Sequence, residues 1–303
     1  MPASFVRALS DSHRGLALGV LGVVIFAMTV PMTRLAVGDI SDPQLPPMFV
    51  TAGRAALAGV LSVIYLLAVR APRPQRHHAL PLCISALGTV LGFPLTLALA
   101  LREVDAMHAA VVTGLMPLST AVIAALVLHQ RPSRGFWACA VAGCALVLAF
   151  AAWQGGGAVS AGDGYLLLAV LFTGVGYVSG AKVAQDMPAP QVICWVLVIA
   201  LPFTLPAALW WWPDAPARAS AWVGFGYVSL FSMWLGFFAW YRGLTLGGVV
   251  RVSQVQLVQP FLALLFAVPI LGERLDAVTV LFSLAVIAVV FIGRRMPVRQ
   301  LAV

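Results

Sequence analysis

The 303-residue chain is 62% hydrophobic and only 9% charged, with a mean hydropathy of +1.00 and a formal net charge of +8. Soluble domains carry roughly 25% charged residues, so this composition excludes a water-soluble globular protein. The positive balance reads as membrane topology rather than as a nucleic-acid surface.

A helix needs roughly 20 apolar residues to cross the hydrocarbon core. In chain order, runs of that kind predict spans over residues 15–34, 46–69, 79–100, 105–128 and 134–153, then 161–182, 189–211, 219–242, 248–270 and 275–293. The breaks between them hold most of the charge, as in Arg70–Arg76 and Gly272-Glu273-Arg274. The runs do not alternate as the strands of a β-barrel do. The first follows Arg7 and Arg14 but is too long for a secretory signal and leads into a further span. Cys83, Cys139, Cys144 and Cys194 all lie within spans and form no CxxC pair, so neither disulfides nor a metal site is expected. The expected class is an all-α integral membrane protein of ten transmembrane helices.

With the N-terminus placed in the cytoplasm, thirteen of the eighteen Lys and Arg residues fall on the cytoplasmic side. Arg34, Arg102, Arg218 and Arg274 fall opposite, and Arg54 lies inside the second span. By the positive-inside rule both termini are cytoplasmic; 17 arginines to one lysine hint at a bacterial source, and the expected location is the inner (plasma) membrane.

The two sets of five spans resemble each other. At a constant offset of 143 residues Pro117 meets Pro260, Gln130 meets Glu273 and Arg131 meets Arg274. Leu91-Gly92-Phe93 parallels Leu235-Gly236-Phe237 with a one-residue shift. The reading is a first five-helix repeat over 1–154 and a second over 155–303. An odd number of spans per repeat inverts the second copy, an arrangement that secondary transporters use around a midplane site.

Within spans, polar groups must face protein or water. Ser253, Gln256 and Gln259 recur every three residues along span nine, either as a cavity wall or as interhelical hydrogen bonds. Thr89 in span three, Thr113 in span four and Tyr177 in span six are further cavity candidates. Tyr227, Phe231, Trp234, Phe238 and Tyr241 form a helical stripe in span eight. Its Trp234, Phe238 and Tyr241 are candidates to stack on a substrate, the alternative being ordinary packing. His108 and Arg251 begin spans four and nine at equivalent positions and suit a gate or a charge contact; plain interfacial anchoring is the competing role. Arg54 needs a partner, either a functional one or backbone carbonyls. Pro117 and Pro260 remove backbone hydrogen bonds and suit hinges. All ten acidic residues lie outside the middle of the spans, so coupling through an intramembrane carboxylate is not expected.

In this joint order, the span pattern, Pro117, Pro260, the turns Leu128–Arg131 and Leu271–Arg274, and Arg54 within Thr51–Ala55 resemble the drug/metabolite transporter superfamily in its EamA-type branch. The resemblance covers residues 15–293, although Gln130 stands where the family usually has Glu. It implies export of small metabolites, closest to the family's exporters of aromatic and neutral amino acids. The implied partners are a small-molecule substrate and the lipid bilayer, with no nucleic acid and no cofactor, and the chain acting as a monomer. The rival within the family is an exporter of cationic amphiphiles; a channel-like or structural membrane protein is a further alternative. Neither HExxH, GxSxG nor a GxxxxGK[ST] loop occurs, so no enzyme activity is expected.

Overall fold

The computed structural model describes residues 3–127, 131–154, 160–247, 254–296 and 298–299. Among these, eight helices are long and apolar enough to cross a membrane. They are α1 His13–Val37, α2 Pro47–Ala68, α3 Arg76–Glu103, α4 Ala106–Val127, α5 Arg134–Gln154, α6 Ala161–Val183, α7 Ala189–Trp210 and α8 Ala219–Gly243. Two shorter apolar helices follow, α9 Val255–Leu271 and α10 Ala277–Gly293. The strand pairing among the described residues is one two-residue pair, Arg131–Pro132 antiparallel to Val298–Arg299.

Helices dominate because hydrocarbon offers the backbone no hydrogen-bond partner, so each segment must satisfy its own groups. The ends follow local chemistry. Pro47 opens α2 in a first turn that needs no donor there. Ser160 and Asp163 form a reciprocal capping box on α6, and Asp276 caps α10 through the Thr279 amide. Gly272, at φ +71°, closes α9 in the left-handed conformation and turns the chain so that Glu273 points back into the protein.

Several helices are interrupted, and most interruptions come in pairs. Residues Ala86–Gly92 of α3 and Val228–Leu235 of α8 are π-helical, and each segment runs into the Leu-Gly-Phe triplet seen in the sequence. Helix α4 breaks between Thr113 and Met116, just before Pro117. Helix α9 is preceded and begun by a 3₁₀ turn, Gln254–Val258, just before Pro260. Pro117 and Pro260 lack the N–H that would otherwise close onto the carbonyls of Thr113 and Gln256. Helix α1 is also interrupted, at Met28.

Packing follows a regular scheme. Helix α2 lies against α7, α4 against α9, α5 against α10, α1 against α8, and α3 against α6. Exchanging every helix with the one five places along leaves this set of contacts unchanged. Small residues permit the closest approaches. A Cβ at Gly88 on α3 would stand 2.5 Å from the Phe172 carbonyl oxygen and 2.7 Å from the Gly176 Cα on α6. One at Gly224 on α8 would stand 2.6 Å from the Met32 carbonyl oxygen on α1.

Those atoms are backbone and cannot swing aside. Gly88→Val is therefore expected to destabilise the fold by at least about 1–3 kcal/mol and lower the melting temperature of detergent-purified protein. Gly164→Ala, where no atom lies within 4 Å of the added methyl, is expected to leave that temperature unchanged or slightly raised.

Candidate functional site

The polar residues of the interior converge on two adjoining chambers of about 30 and 40 Å³. Thr113, Met116 and Pro117 from α4 meet Gln256, Gln259 and Pro260 from α9 around the first. Thr29 (α1), Arg54 (α2), Thr89 and Phe93 (α3), Thr173 (α6), and Ser232 and Phe237 (α8) line the second. Val30, Met116, Tyr177 and Gln259 line both. The structure thus gathers Thr89, Thr113, Tyr177, Gln256, Gln259, Arg54, Pro117 and Pro260 in one place. Ser253 and Arg251 lie outside the described residues.

Threonines fit this environment because each hydroxyl donates back to its own helix. Thr89 Oγ1 reaches the Ser85 carbonyl at 2.7 Å, Thr113 Oγ1 that of Ala109 at 2.7 Å, and Thr173 Oγ1 that of Ala169 at 2.9 Å. The oxygen lone pairs remain available as acceptors. Gln259 is different: its buried Oε1 has no hydrogen-bond partner among the described residues.

Arg54 is the sharpest electrostatic feature. It is 2% exposed, and its Nη2 donates to Ser232 Oγ at 3.0 Å. Ser232 Oγ in turn lies 2.8 Å from Thr29 Oγ1, a chain joining α2, α8 and α1. Nε and Nη1 have no partner among the described residues, and neither a backbone carbonyl nor a carboxylate answers the charge. An unpaired buried charge costs about 3–5 kcal/mol relative to a paired one. A charge kept under that penalty makes Arg54 a candidate functional position.

The chambers are sealed at the end of the molecule that carries Arg34 and Glu273. Arg34 Nη1 donates to the carbonyls of Leu101 and, at 2.9 Å, Val104, tying α1 to the α3–α4 turn. Its Nη2 reaches Asp39 at 3.3 Å. The Glu273 carboxylate accepts from the Ala106 and Met107 amides, both at 2.8 Å, and so caps the N-terminus of α4. The helix dipole favours an anion there. Beside it, His108 Nε2 lies 2.5 Å from Asp163 Oδ1, and its ring stacks on Phe150 at 5.0 Å. His108 and Asp163 are 6% and 4% exposed. The sequence offered His108 as a gate or charge contact, or as an interfacial anchor, and did not reveal its partner Asp163, which lies 55 residues away.

Lys182 lies toward the opposite end. A vestibule of about 300 Å³ is lined there by Tyr177, Lys182, Gln185, Phe237, Trp240 and Tyr241. Tyr177 therefore stands between the vestibule and both chambers. Trp234 and Phe238 lie elsewhere: their rings are 4.8 Å apart, and Phe238 packs on Tyr65 of α2 at 4.9 Å. Phe237, on the neighbouring face of the same helix, lines the second chamber instead.

A larger concavity of about 620 Å³ between α4, α5 and α6 is lined almost wholly by apolar side chains such as Val141, Leu148 and Leu171. These are exposed residues of the kind a bilayer covers. Among the described residues, His77, His78 and Asp186 alone bring three potential metal-ligand atoms together, within 4.8 Å and near the Lys182 end. Two of the three residues are exposed, and none lines the chambers.

Comparison with known proteins gives the family. The model of the EamA-like transporter family matches residues 13–152 and again 160–294. The chain belongs to the EamA-like transporter family. It is a multi-pass membrane protein of a family of transporters rather than of enzymes. This EamA-like transporter is also 43% identical over 289 residues to the uncharacterized transporter YdeK of Bacillus subtilis (strain 168), covering 95% of this chain and 99% of the other. One solved crystal structure superposes on 93% of the chain and 96% of its own, with a TM-score of 0.62 at 18% identity, which speaks for the fold alone.

Burial pushes the Glu273 carboxyl above its ordinary value of 4.5, and the negative charge of Asp105 adds to this; the Met107 and Ala106 amides and Arg34 oppose it. A raised carboxyl means the sealed state holds its proton more tightly than an exposed glutamate does. The seal is thus strongest below pH 4.5 and weakens as pH rises through the raised value. Protection of the Ala106 and Met107 amides, measured by hydrogen exchange and corrected for intrinsic rates, is expected to fall across that window. Glu273→Ala is expected to speed their exchange at neutral pH by roughly tenfold or more, the effect of losing hydrogen bonds to a charged group, and to abolish the pH dependence.

Proposed function

We propose that this chain is a secondary transporter that exports small metabolites, namely neutral and aromatic amino acids, by alternating access. The observation that carries the reading is the pair of adjoining polar chambers, with the Arg34 and Glu273 contacts toward one end and the vestibule beside Tyr177 toward the other. Rocking of two halves about this cavity would expose it to each side in turn.

In this reading α9 and α10 also cross the bilayer, making ten spans, and residues 1–154 and 155–303 form inverted five-helix halves. Three observations support it: the twofold match of the family model, the paired interruptions of α3/α8 and α4/α9, and the helix contacts that survive exchange of the halves. Charge counting places both termini in the cytoplasm of the inner membrane. The vestibule beside Lys182 then faces the cytoplasm, where an exporter loads. The protein works as a monomer and without a cofactor. With no acidic residue lining the chambers among the described residues, flux is downhill or weakly coupled to protons.

The aromatic vestibule of Phe237, Trp240 and Tyr241 favours a second reading, export of cationic amphiphiles, because aromatic faces attract cations.

Proteoliposomes loaded with unlabelled amino acids are expected to take up the labelled forms by saturable counterflow. A pH gradient is expected to drive little accumulation. Tyr177→Ala, which joins vestibule and chambers, is expected to reduce counterflow severalfold, while Tyr177→Phe retains most of it. No saturable counterflow with any amino acid, alongside uptake of a cationic dye, would overturn the amino-acid reading in favour of the second.

A further inference from the structure

We infer that Arg54 and Gln259 form the substrate-recognition pair, with Arg54 holding a carboxylate and the Gln259 carbonyl holding an ammonium group, so that the site selects α-amino acids. The inference rests on the transport reading above and specifies which atoms recognise the cargo.

The donors come first. Arg54 has five N–H hydrogens, and the structure uses its Nη2 on Ser232 while Nε and Nη1 find nothing. The residue lines the roughly 40 Å³ chamber that Thr29, Thr89 and Thr173 also face. A planar fork of donors matches a carboxylate better than any neutral group. Charge balance selects a monoanion. One cation buried without a counter-charge is neutralised by one carboxylate, whereas a phosphate dianion would leave a net negative charge in the same low-dielectric space.

Size agrees with the chemistry. A site needs roughly 10–15 Å³ of such volume for each water-sized group. The second chamber, about 40 Å³, is room for a small polar group such as a carboxylate and not for a whole amino acid. The remainder of an amino acid extends into the adjoining chamber and requires Tyr177 to move toward the vestibule.

The acceptor is the independent observation. Gln259 lines both chambers, and its Oε1 is buried without a donor. Within the same wall, the Thr89, Thr113 and Thr173 hydroxyls already donate to their own helices and offer lone pairs only. An ammonium group, which donates and never accepts, suits this set. One unpartnered cation and one unpartnered carbonyl in a shared cavity are complementary to the two charged groups of a zwitterion. A cationic amphiphile would bring its positive charge toward Arg54 and be repelled.

The test uses counterflow in proteoliposomes containing the full chain, with labelled phenylalanine, phenylalaninamide, 3-phenylpropionate and phenethylamine as probes. Wild-type protein is expected to move phenylalanine at least roughly tenfold faster than each of the other three, since unmatched buried polar groups discriminate strongly. Arg54→Gln is expected to abolish the preference for phenylalanine over its amide, Arg54→Lys to restore part of it, and Gln259→Leu to narrow the margin over 3-phenylpropionate. Phenylalaninamide moving as fast as phenylalanine in the wild type would overturn the inference while leaving transport standing. Movement of none of the four probes would count against the transport reading itself. Thermal stabilisation of the wild-type protein is a second readout that does not depend on the variants folding. Phenylalanine is expected to raise the melting temperature and phenylalaninamide not to, and equal shifts would refute the assignment.

Discussion

Hydrocarbon supplies neither a donor nor an acceptor, and everything in this structure follows from that constraint. Each polar group must be satisfied by its own helix, by another helix, or by a cavity. Thr89, Thr113 and Thr173 take the first course by donating to the carbonyl four residues back. Ser232 and Thr29 take the second, bridging α8 and α1. Arg54 and Gln259 retain atoms that take neither, and both face the chambers. Among the described residues Thr51, Ser62, Thr204 and Ser283 also keep unpartnered hydroxyls, but away from the chambers; Arg54 and Gln259 are the ones that line them.

Broken helices make that cavity possible. Pro117 and Pro260 face the same chamber, each beside a local loss of α-helical geometry. The π-helical stretches of α3 and α8 lie on the opposite wall and bring Thr89, Ser232 and Phe237 to it. The π-helical stretch of α3 is itself held close to α6, where Gly88 meets the backbone of Phe172 and Gly176. The two ends then differ in kind. One is sealed by charge-assisted contacts between distant segments, with the Glu273 carboxylate on the start of α4 and Arg34 on the α3–α4 turn. The other is lined by large rings and a single lysine, with Tyr177 as the partition.

Much of the helix layout was legible in the chain. The run at 161–182 became α6 Ala161–Val183, and the run at 189–211 became α7 Ala189–Trp210, because span length is set by bilayer thickness and composition reports it directly. Glycine positions on α3 and α6 were readable as close packing for the same local reason. The aromatic stripe of α8 was less legible. Trp234 and Phe238 still meet at 4.8 Å as the period implies, but Phe238 packs on Tyr65 while Phe237 lines a chamber, because the neighbouring helices decide which face turns inward.

By itself, the sequence determined the membrane class, the apolar segments, the prolines that break them and the scarcity of charge. These are properties of short windows, governed by transfer energy and backbone chemistry. Tertiary structure decided which polar groups meet. Arg54 finds Ser232 across 178 residues, Glu273 finds the Ala106 amide across 167, and His108 finds Asp163 across 55. No local pattern encodes such pairs, because they depend on how helices are rotated and stacked against one another. The same dependence leaves Arg54 and Gln259 unpartnered in a shared cavity, a fact about packing that no window of the sequence contains.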